Sequence, residues 1–208
     1  MTRILKFIAI SVLFLASVKV HAILIFTDQA EWEAAVSGSV EVESFGTIVP
    51  ETLLGTISFD DFQSVAASGA YFHEVRAGGR YTAAIMGSAV DKLQWEFNSG
   101  INAFGGNFFS INNTGLTVSG DFDGAGVQTI NVYDYVISNV STGNGWFGII
   151  GTNEFSTISW NTDDGSEWFQ VSDLRYTAGS TAQVPEPSTL AIFALGIIGL
   201  ASRRFKKQ

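Results

Sequence analysis

Three oxygen-bearing side chains surround one predicted hairpin turn near the C-terminal end of the chain. Asn161, Asp163 and Glu167 alternate around the pair Asp164-Gly165. Carboxylate and amide oxygens are the ligands that Ca2+ prefers, and the ion takes about six to eight of them. The spacing does not match an EF-hand loop, and a solvated hairpin turn explains the same residues more simply. The turn is therefore a candidate calcium site, with an ordinary hairpin as the favoured interpretation.

Hydrolytic chemistry would depend on His73, which is the only histidine outside the predicted leader. A Ser-His-Asp site needs such a histidine, but no Gly-x-Ser-x-Gly turn occurs in the chain. One histidine without any cysteine also leaves a zinc site short of its usual ligands. We expect His73 to be a loop or surface residue.

Paired carboxylates could serve a glycosidase, which needs two of them at a set separation across a cleft. Three pairs occur in turn-like settings: Asp60 with Asp61, Asp121 with Asp123, and Asp163 with Asp164. Aspartate is common in turns because its side chain bonds to the local backbone. The pairs therefore indicate turns, and the sequence predicts a protein that is not an enzyme.

Four tryptophans that follow the predicted helix allow two interpretations. They are Trp95, Trp146, Trp160 and Trp168. Exposed aromatic rings stack on the faces of sugars, whereas tryptophans that alternate with apolar residues in strands usually form a core. We expect core packing, with an aromatic sugar platform as the alternative. The direction in which the rings between residues 146 and 168 point decides between them.

Strand-like segments dominate the region that would hold these residues. Runs with alternating or continuous apolar residues are separated by turns rich in Gly, Asn and Asp, and they cover residues 40–45, 80–86, 93–97, 128–137, 146–150, 155–160 and 167–176. Many short strands separated by turns are typical of sandwiches and jelly rolls. The predicted fold is an all-β, jelly-roll-like sandwich.

One short helix is predicted at the start of this domain, over residues 27–38. Thr27 or Asp28 suits its N-cap, and Gly38 suits its end. Its apolar face would contain Trp32, Ala35 and Val36. We expect this helix to pack over one end of a sheet.

The net charge separates the central domain from the two ends of the chain. The 208 residues carry a formal charge of −9, but residues 23–183 contain 4 basic and 19 acidic side chains, a net of −15. Such a field repels phosphate backbones, so nucleic acid is not an expected partner. Because the chain has no cysteine, disulfides and a cysteine nucleophile are excluded.

The N-terminus has the pattern of a secretory signal peptide. Arg3 and Lys6 precede an apolar stretch at residues 7–18, and Val20-His21-Ala22 is a small-x-small cleavage site. We predict that residues 1–22 are removed after Ala22, so that the protein is exported.

The C-terminus has three parts in a fixed order. Pro185-Glu186-Pro187 is stiff and extended, residues 190–201 are uncharged, and a basic tail follows that contains Arg203, Arg204, Lys206 and Lys207. Twelve residues make a helix of about 18 Å, while a bilayer core is about 30 Å thick. The sequence therefore predicts a short transmembrane helix that holds the chain only transiently, with its basic end in the cytoplasm.

This order of V-P-E-P-S, an apolar span and an R-R tail resembles the PEP-CTERM sorting signal of Gram-negative bacteria. The resemblance implies recognition by an exosortase, an integral-membrane cysteine transpeptidase, with processing near the Pro-Glu-Pro element. It assigns sorting and processing to Pro185, Glu186, Pro187, Arg203 and Arg204. It also implies an inner-membrane intermediate before the protein reaches the cell surface or the extracellular space.

The expected organisation is a signal peptide at 1–22, a β-sandwich ectodomain at 23–177, a spacer at 178–183 and the sorting signal at 184–208. The expected function is that of a non-enzymatic surface or extracellular-matrix protein associated with exopolysaccharide. A lectin-like module, with or without help from Ca2+, is the alternative, and a secreted hydrolase is the least favoured. Expected partners are the exosortase, the inner membrane and exopolysaccharide.

Overall fold

A computed structural model describes residues 23–67, 70–86, 93–112, 115–136, 142–162 and 165–178. These ranges contain one α-helix, α1 (Gln29–Ala35), and a single 3-10 turn (Val132–Asp134). The strands are Leu24–Phe26 (β1), Val40–Glu43 (β2), Val49–Thr52 (β3), Gly55–Ser58 (β4), Phe62–Ala66 (β5), Ala70–Arg76 (β6), Arg80–Met86 (β7), Leu93–Asn112 (β8), Leu116–Gly120 (β9), Gln128–Asn131 (β10), Thr142–Thr162 (β11) and Ser166–Ala178 (β12).

All of the strand pairs are antiparallel and belong to one hydrogen-bonded network. Its main path runs β10-β9-β11-β8-β12-β7-β6-β3, while β1 pairs with β11, β2 with β12, and β5 with both β4 and β8. The long strands β8, β11 and β12 lie at its centre. The predicted all-β class is therefore confirmed.

The two longest strands fold back on themselves and so create two facing layers. Trp95 and Phe108 both lie on β8, and a straight strand would place them about 43 Å apart. The ring of Trp160 nevertheless contacts both, with centroid distances of 4.9 Å to Trp95 and 5.5 Å to Phe108. On β11, Phe147 and Trp160 are also far apart along the strand, yet the rings of both contact Phe108. The network is thus a β-sandwich, and the jelly-roll connectivity stays a prediction.

The bend in β11 falls where its pairing with β8 loses register, between Ile150 and Phe155. Gly151 lies at this point, and a Cβ atom added there would lie 2.3 Å from the carbonyl oxygen of Phe122. No side chain fits at that distance, so glycine lets the loop after β9 pack directly against the bend.

Aromatic rings fill the space between the layers. Trp95, Trp160, Phe104 and Phe108 are all fully buried. Burial of one such ring contributes roughly 4 kcal/mol as an upper estimate, because it removes about 150 Å² or more from water. This core explains how a chain without disulfides holds a sandwich together.

The helix α1 is shorter than the sequence predicts. It packs against Ala103, Trp146 and Ile150 on the outer face of β8 and β11, in a cluster separate from the main core, rather than over one end of the sheet. Asp28 is its N-cap, and the Asp28 carboxylate accepts a hydrogen bond from the Glu31 amide at 3.0 Å. Of the predicted apolar face only Trp32 is buried, and its indole nitrogen donates to the Ile149 carbonyl oxygen at 3.2 Å. A Cβ atom at Gly148 would lie 2.7 Å from the Trp32 ring, so this glycine makes room for it.

Several of the predicted strand boundaries are wrong. The strand predicted over residues 93–97 is only the start of β8, which continues to Asn112. Residues 146–150 and 155–160 are parts of the single strand β11, because the bend between them interrupts the apolar pattern without ending the strand. The strand predicted over residues 128–137 ends at Asn131, whose side chain accepts a hydrogen bond from the Tyr133 amide and starts the 3-10 turn.

The one α-helix, seven residues long, is too short to cross a bilayer, and the described ranges hold no longer apolar helix. The predicted transmembrane helix at residues 190–201 lies outside those ranges, as do residues 1–22. The domain boundaries proposed from the sequence stay predictions.

Candidate functional site

Strand β12 presents one large aromatic ring to solvent. Its alternation turns Phe169 and Val171 into the core, where both are fully buried, and turns Trp168 and Gln170 to the outer face. Trp168 is 39% exposed, whereas the other tryptophans of the chain are 6% exposed or less. An exposed tryptophan on the regular face of a sheet is unusual for a side chain whose burial is so favourable.

An arginine is stacked on this ring from two strands away. The guanidinium of Arg76, on β6, lies 5.1 Å from the centre of the Trp168 ring. The intervening strand β7 carries only the small side chains of Thr82 and Ala84 at these positions, so the two long side chains meet across it. Glu74 holds the arginine in place through an ion pair of 2.5 Å.

A second arginine–aromatic pair repeats the arrangement on the neighbouring strands. Arg80, on β7, places its guanidinium 4.5 Å from the centre of the Phe109 ring on β8. It reaches across β12, where Gln170 is paired with Phe109 and accepts a hydrogen bond from Arg80 at 3.0 Å. Planar groups therefore extend diagonally over four adjacent strands, β6, β7, β12 and β8. We call this surface the arginine–aromatic face, and its residues are Glu74, Arg76, Arg80, Phe109, Trp168 and Gln170.

The face has an unusual charge for this domain. Described basic residues are Arg76, Arg80 and Arg175, and the last of these pairs with Glu33 at 3.1 Å, away from the face. Two of the three thus lie on one surface. Arg76 is compensated by Glu74, while Arg80 forms no ion pair within the described residues. The face combines hydrogen-bond donors, a carboxylate and an amide around the exposed ring of Trp168 and the half-buried ring of Phe109.

The other tryptophans that were considered for an aromatic sugar platform are core residues. Trp95 and Trp160 are fully buried and Trp146 is 6% exposed. The expectation of core packing is therefore correct for three of the four, and Trp168 is the exception. The outward direction of Trp168 can be predicted from the sequence, since it alternates with the apolar residues Phe169 and Val171. The stacking of Arg76 and Arg80 cannot be predicted in this way, because it depends on which strands are neighbours.

The expectation that His73 lies in a loop or at the surface is wrong. It lies on β6 and is fully buried, because it alternates with the outward side chains of Glu74 and Arg76 and shares the inner face with Val75. Its Nδ1 is 2.8 Å from Ser64 Oγ, which in turn lies 2.7 Å from Tyr81 OH.

Burial lowers the pKa of His73 to about 4, so the ring is neutral at pH 7. Burial also raises the pKa of Tyr81. The Ser64–His73–Tyr81 cluster thus resembles a catalytic Ser-His pair only in that a hydroxyl group contacts an imidazole. It is closed to solvent, and the described residues provide no hydrogen-bond partner for His73 Nε2.

The paired carboxylates of the sequence analysis have structural contacts. Asp61 accepts a hydrogen bond from Tyr176 OH at 2.9 Å. Burial, and after it the neighbouring Asp61, raise the pKa of Tyr176, which keeps this donor protonated. Asp121 and Asp123 both accept from backbone amides of their own loop, at Gly126 and Ala125 respectively. These bonds are the turn contacts that the sequence pattern predicts.

A shallow cleft of about 370 Å³ lies beside that loop. Asp121 and Glu154 line it, together with serine and threonine side chains from β9 and β11. Two carboxylates therefore border one cleft, but Asp121 is engaged in its turn.

The candidate calcium ligands are only partly described. Asn161 is the second-last residue of β11 and is 9% exposed, and Glu167 is the second residue of β12 and is 1% exposed. Asp163 lies outside the described residues, so the proposed set stays a prediction. Elsewhere in the described ranges, no three acidic or histidine side chains gather closely enough to hold a metal ion.

The residues assigned to export and sorting also lie outside the described residues. They are Ala22, Pro185, Glu186, Pro187, Arg203 and Arg204.

Comparison with known proteins identifies the C-terminal segment. Residues 183–207 match the PEP-CTERM protein-sorting motif, which confirms the resemblance drawn from V-P-E-P-S and the R-R tail. The motif indicates an exported protein that is directed to the cell envelope or surface. It covers a small part of the chain and does not extend into the β-sandwich. No curated protein is significantly similar in sequence to the chain.

Several solved structures share parts of the sandwich at low similarity. A mutant of CBM29-2, a family 29 carbohydrate-binding module, complexed with mannohexaose is 15% identical over 73% of this chain and 100% of that chain, with a TM-score of 0.39. The CBM22-1–GH10 modules of xylanase 10B from Clostridium thermocellum, complexed with xylohexaose, are 13% identical over 67% of this chain and 28% of that chain, with a TM-score of 0.32. TM-scores this low support no conclusion about the ligand or the activity of this protein.

Proposed function

Because the chain carries a PEP-CTERM protein-sorting motif, we propose that it is a non-enzymatic protein of the cell surface or extracellular matrix, sorted by an exosortase. Its β-sandwich domain associates with exopolysaccharide through the arginine–aromatic face. The observation that carries the second part is the exposure of Trp168 on a regular sheet face.

The chemistry of the face supports binding to a sugar polymer. The axial C–H bonds of a pyranose ring form an apolar surface that an exposed indole covers well. Around that ring, the guanidinium groups of Arg76 and Arg80 donate hydrogen bonds and the carboxylate of Glu74 accepts them. A mostly preformed set of rings with a few convergent polar groups is typical of ligand sites.

The residues considered for catalysis support a role without chemistry. His73 is buried in a polar cluster, and Asp61, Asp121 and Asp123 each accept a structural hydrogen bond. A general acid or base must reach the reacting group of its substrate, and these side chains are held elsewhere.

Sorting is proposed to proceed from a short-lived membrane intermediate. Residues 190–201 hold the chain in the inner membrane, while Arg203 and Arg204 keep its end in the cytoplasm. The stiff Pro185-Glu186-Pro187 segment then presents an extended backbone to the exosortase.

The sorting step is tested by intact-mass analysis of the surface fraction from a Gram-negative host that expresses an exosortase. We expect a mature chain that begins at Ile23 and lacks the residues after the Pro-Glu-Pro element. The double variant Pro185→Ala, Pro187→Ala should accumulate uncut in the membrane fraction. The third proline of the chain provides the control, since Pro50→Ala lies on an exposed position of β3 and should be processed normally. Full-length chain ending at Gln208 on the surface would contradict processing.

Exopolysaccharide binding is tested by co-sedimentation of the mature protein with polymer from the producing bacterium. Trp168→Ala should weaken binding about tenfold or more, which corresponds to about 1.4 kcal/mol. Tyr135→Ala is the matched control, because Tyr135 is 37% exposed and lies outside the face. Equal retention of all three proteins would reject the face as the binding surface. Repeating the measurement with a chelator tests the alternative of a lectin-like module that is assisted by Ca2+.

A further inference from the structure

The arginine–aromatic face also indicates what kind of polysaccharide it receives. We infer that the ligand is an uncharged, extended polysaccharide that crosses β12 and β8 diagonally and contacts both Trp168 and Phe109. This inference rests on the proposed function and specifies the chemical class of its ligand.

The first argument is the balance of donors and acceptors. A surface that selects carboxylates or sulfates offers hydrogen-bond donors. The best donors are guanidinium groups whose paired N–H groups have no other partner. Here the carboxylate of Glu74 occupies one side of Arg76, and the amide oxygen of Gln170 accepts from Arg80. Hydroxyl groups donate and accept, so they match a face that presents both kinds of partner.

The second argument is electrostatic. The domain between the predicted signals has a net charge of −15, while the face itself has an excess of one positive charge, since Glu74 offsets one of its two arginines. Each charged sugar of an acidic polymer that extends beyond the face meets this negative field, and like charges in proximity oppose binding. An uncharged polymer meets no such repulsion.

The third argument is the spacing of the rings. The face spans three intervals between neighbouring strands, or roughly 14 Å at about 4.8 Å each. Trp168 and Phe109 lie on adjacent strands, two positions out of register, because Phe109 is paired with Gln170. A single sugar ring cannot cover both aromatic side chains, so affinity should increase with the length of the oligosaccharide.

The charge class is tested with matched polymers on the full mature protein. The probes are polygalacturonate and alginate, each compared with its carboxyl-reduced form by affinity gel electrophoresis. The two members of a pair share their linkages and differ in the carboxylate. We expect the reduced member of at least one pair to bind about tenfold or more tightly than its uronate parent.

Two outcomes would overturn the inference. If the polymers bind but neither reduced form binds about tenfold or more tightly than its uronate parent, the uncharged class is wrong, and the proposed function still stands. If none of the four polymers binds, the inference fails, and the co-sedimentation with native exopolysaccharide then decides the proposed function separately.

The path of the ligand is tested with one variant on each strand. Trp168→Ala and Phe109→Leu should each weaken binding to the preferred polymer about tenfold, because both remove an aromatic ring from the path. Phe109→Leu keeps the bulk of a half-buried position, and an unchanged unfolding midpoint shows that it folds. Loss of binding with Trp168→Ala but not with Phe109→Leu would overturn the diagonal path.

Discussion

Trp168 and Trp160 belong to the same residue type and lie on strands of the same sheet, yet they have opposite roles. Trp160 contacts Trp95, Phe104, Phe108 and Phe169 in the core. Trp168 faces outward and contacts Phe72 at 5.3 Å and the guanidinium of Arg76. The parity of a position along its strand thus determines whether a tryptophan stabilises the fold or is available to a ligand.

His73 makes stability depend on pH at the scale of one residue. Its pKa is lowered from 6.5 to about 4 by burial, so below pH 6.5 the unfolded chain binds a proton that the folded chain does not. The contribution of His73 to the free energy of unfolding is therefore fully present above pH 6.5. It decreases as the pH falls from 6.5 to about 4, by about 3 kcal/mol in total.

The measurement is urea unfolding of the wild type and of His73→Gln from pH 7.5 to pH 4. The variant should be less stable at pH 7.5, because it disturbs the contact with Ser64, but its stability should decrease less as the pH is lowered. Parallel curves for the two proteins would show that His73 does not cause the pH dependence.

At the scale of elements, the sequence predicts some regular strands, misses others and predicts bends poorly. Arg80–Met86 has the predicted bounds, because its inward residues are apolar throughout and a turn precedes it, whereas β1, β3, β4, β5, β6 and β9 lie outside the predicted strand segments. The sequence predicts two strands where the structure has the single strand β11, because Gly151 and the residues after it look like a turn. In the structure these residues bend one continuous strand. The pattern along a strand is local, but a bend is stabilised by contacts with distant loops.

The candidate site shows the same division. The outward direction of Trp168 follows from its neighbours Phe169 and Val171 on β12. The arginines that accompany it come from β6 and β7, and Phe109 comes from β8, so their proximity follows from strand order. Strand order depends on packing between segments far apart in sequence, and no periodicity records it.

Gly151 allows a direct test of the bend. Gly151→Ala should destabilise the domain by about 2 kcal/mol, because its Cβ atom would overlap the Phe122 carbonyl oxygen and force the backbone to move. Gly46→Ala is the control, since its Cβ atom would meet its nearest neighbour at an ordinary 3.6 Å. Urea unfolding measures both, and equal stability of the two variants would show that the bend tolerates a side chain.

At the scale of the whole molecule, the negative charge opposes compaction. The 19 acidic side chains of residues 23–183 face only 4 basic ones, and the described part of the chain has two ion pairs. Repulsion among like charges destabilises a compact state, and salt screens it.

We therefore expect the urea midpoint of the mature protein to increase as NaCl is raised from about 10 to 100 mM, over which the screening length decreases from about 30 to 10 Å. Potassium chloride should act equally, because the effect is one of ionic strength. A midpoint that decreases with either salt would show that attractive ion pairs dominate.

The order in which the strands pair has a consequence for the timing of export. The first strand, β1, pairs with β11, and the indole of Trp32 bonds to Ile149, 117 residues later. The last strand, β12, is paired with β2, β7 and β8, so it closes the sandwich near its centre. A chain truncated after residue 165 should accordingly remain sensitive to protease. Since β12 ends at Ala178 and the sorting motif begins at residue 183, translocation delivers the final strand and the exosortase substrate almost together. We therefore expect the domain to complete its native topology only after its last strand has been exported, at about the time when the sorting motif becomes accessible.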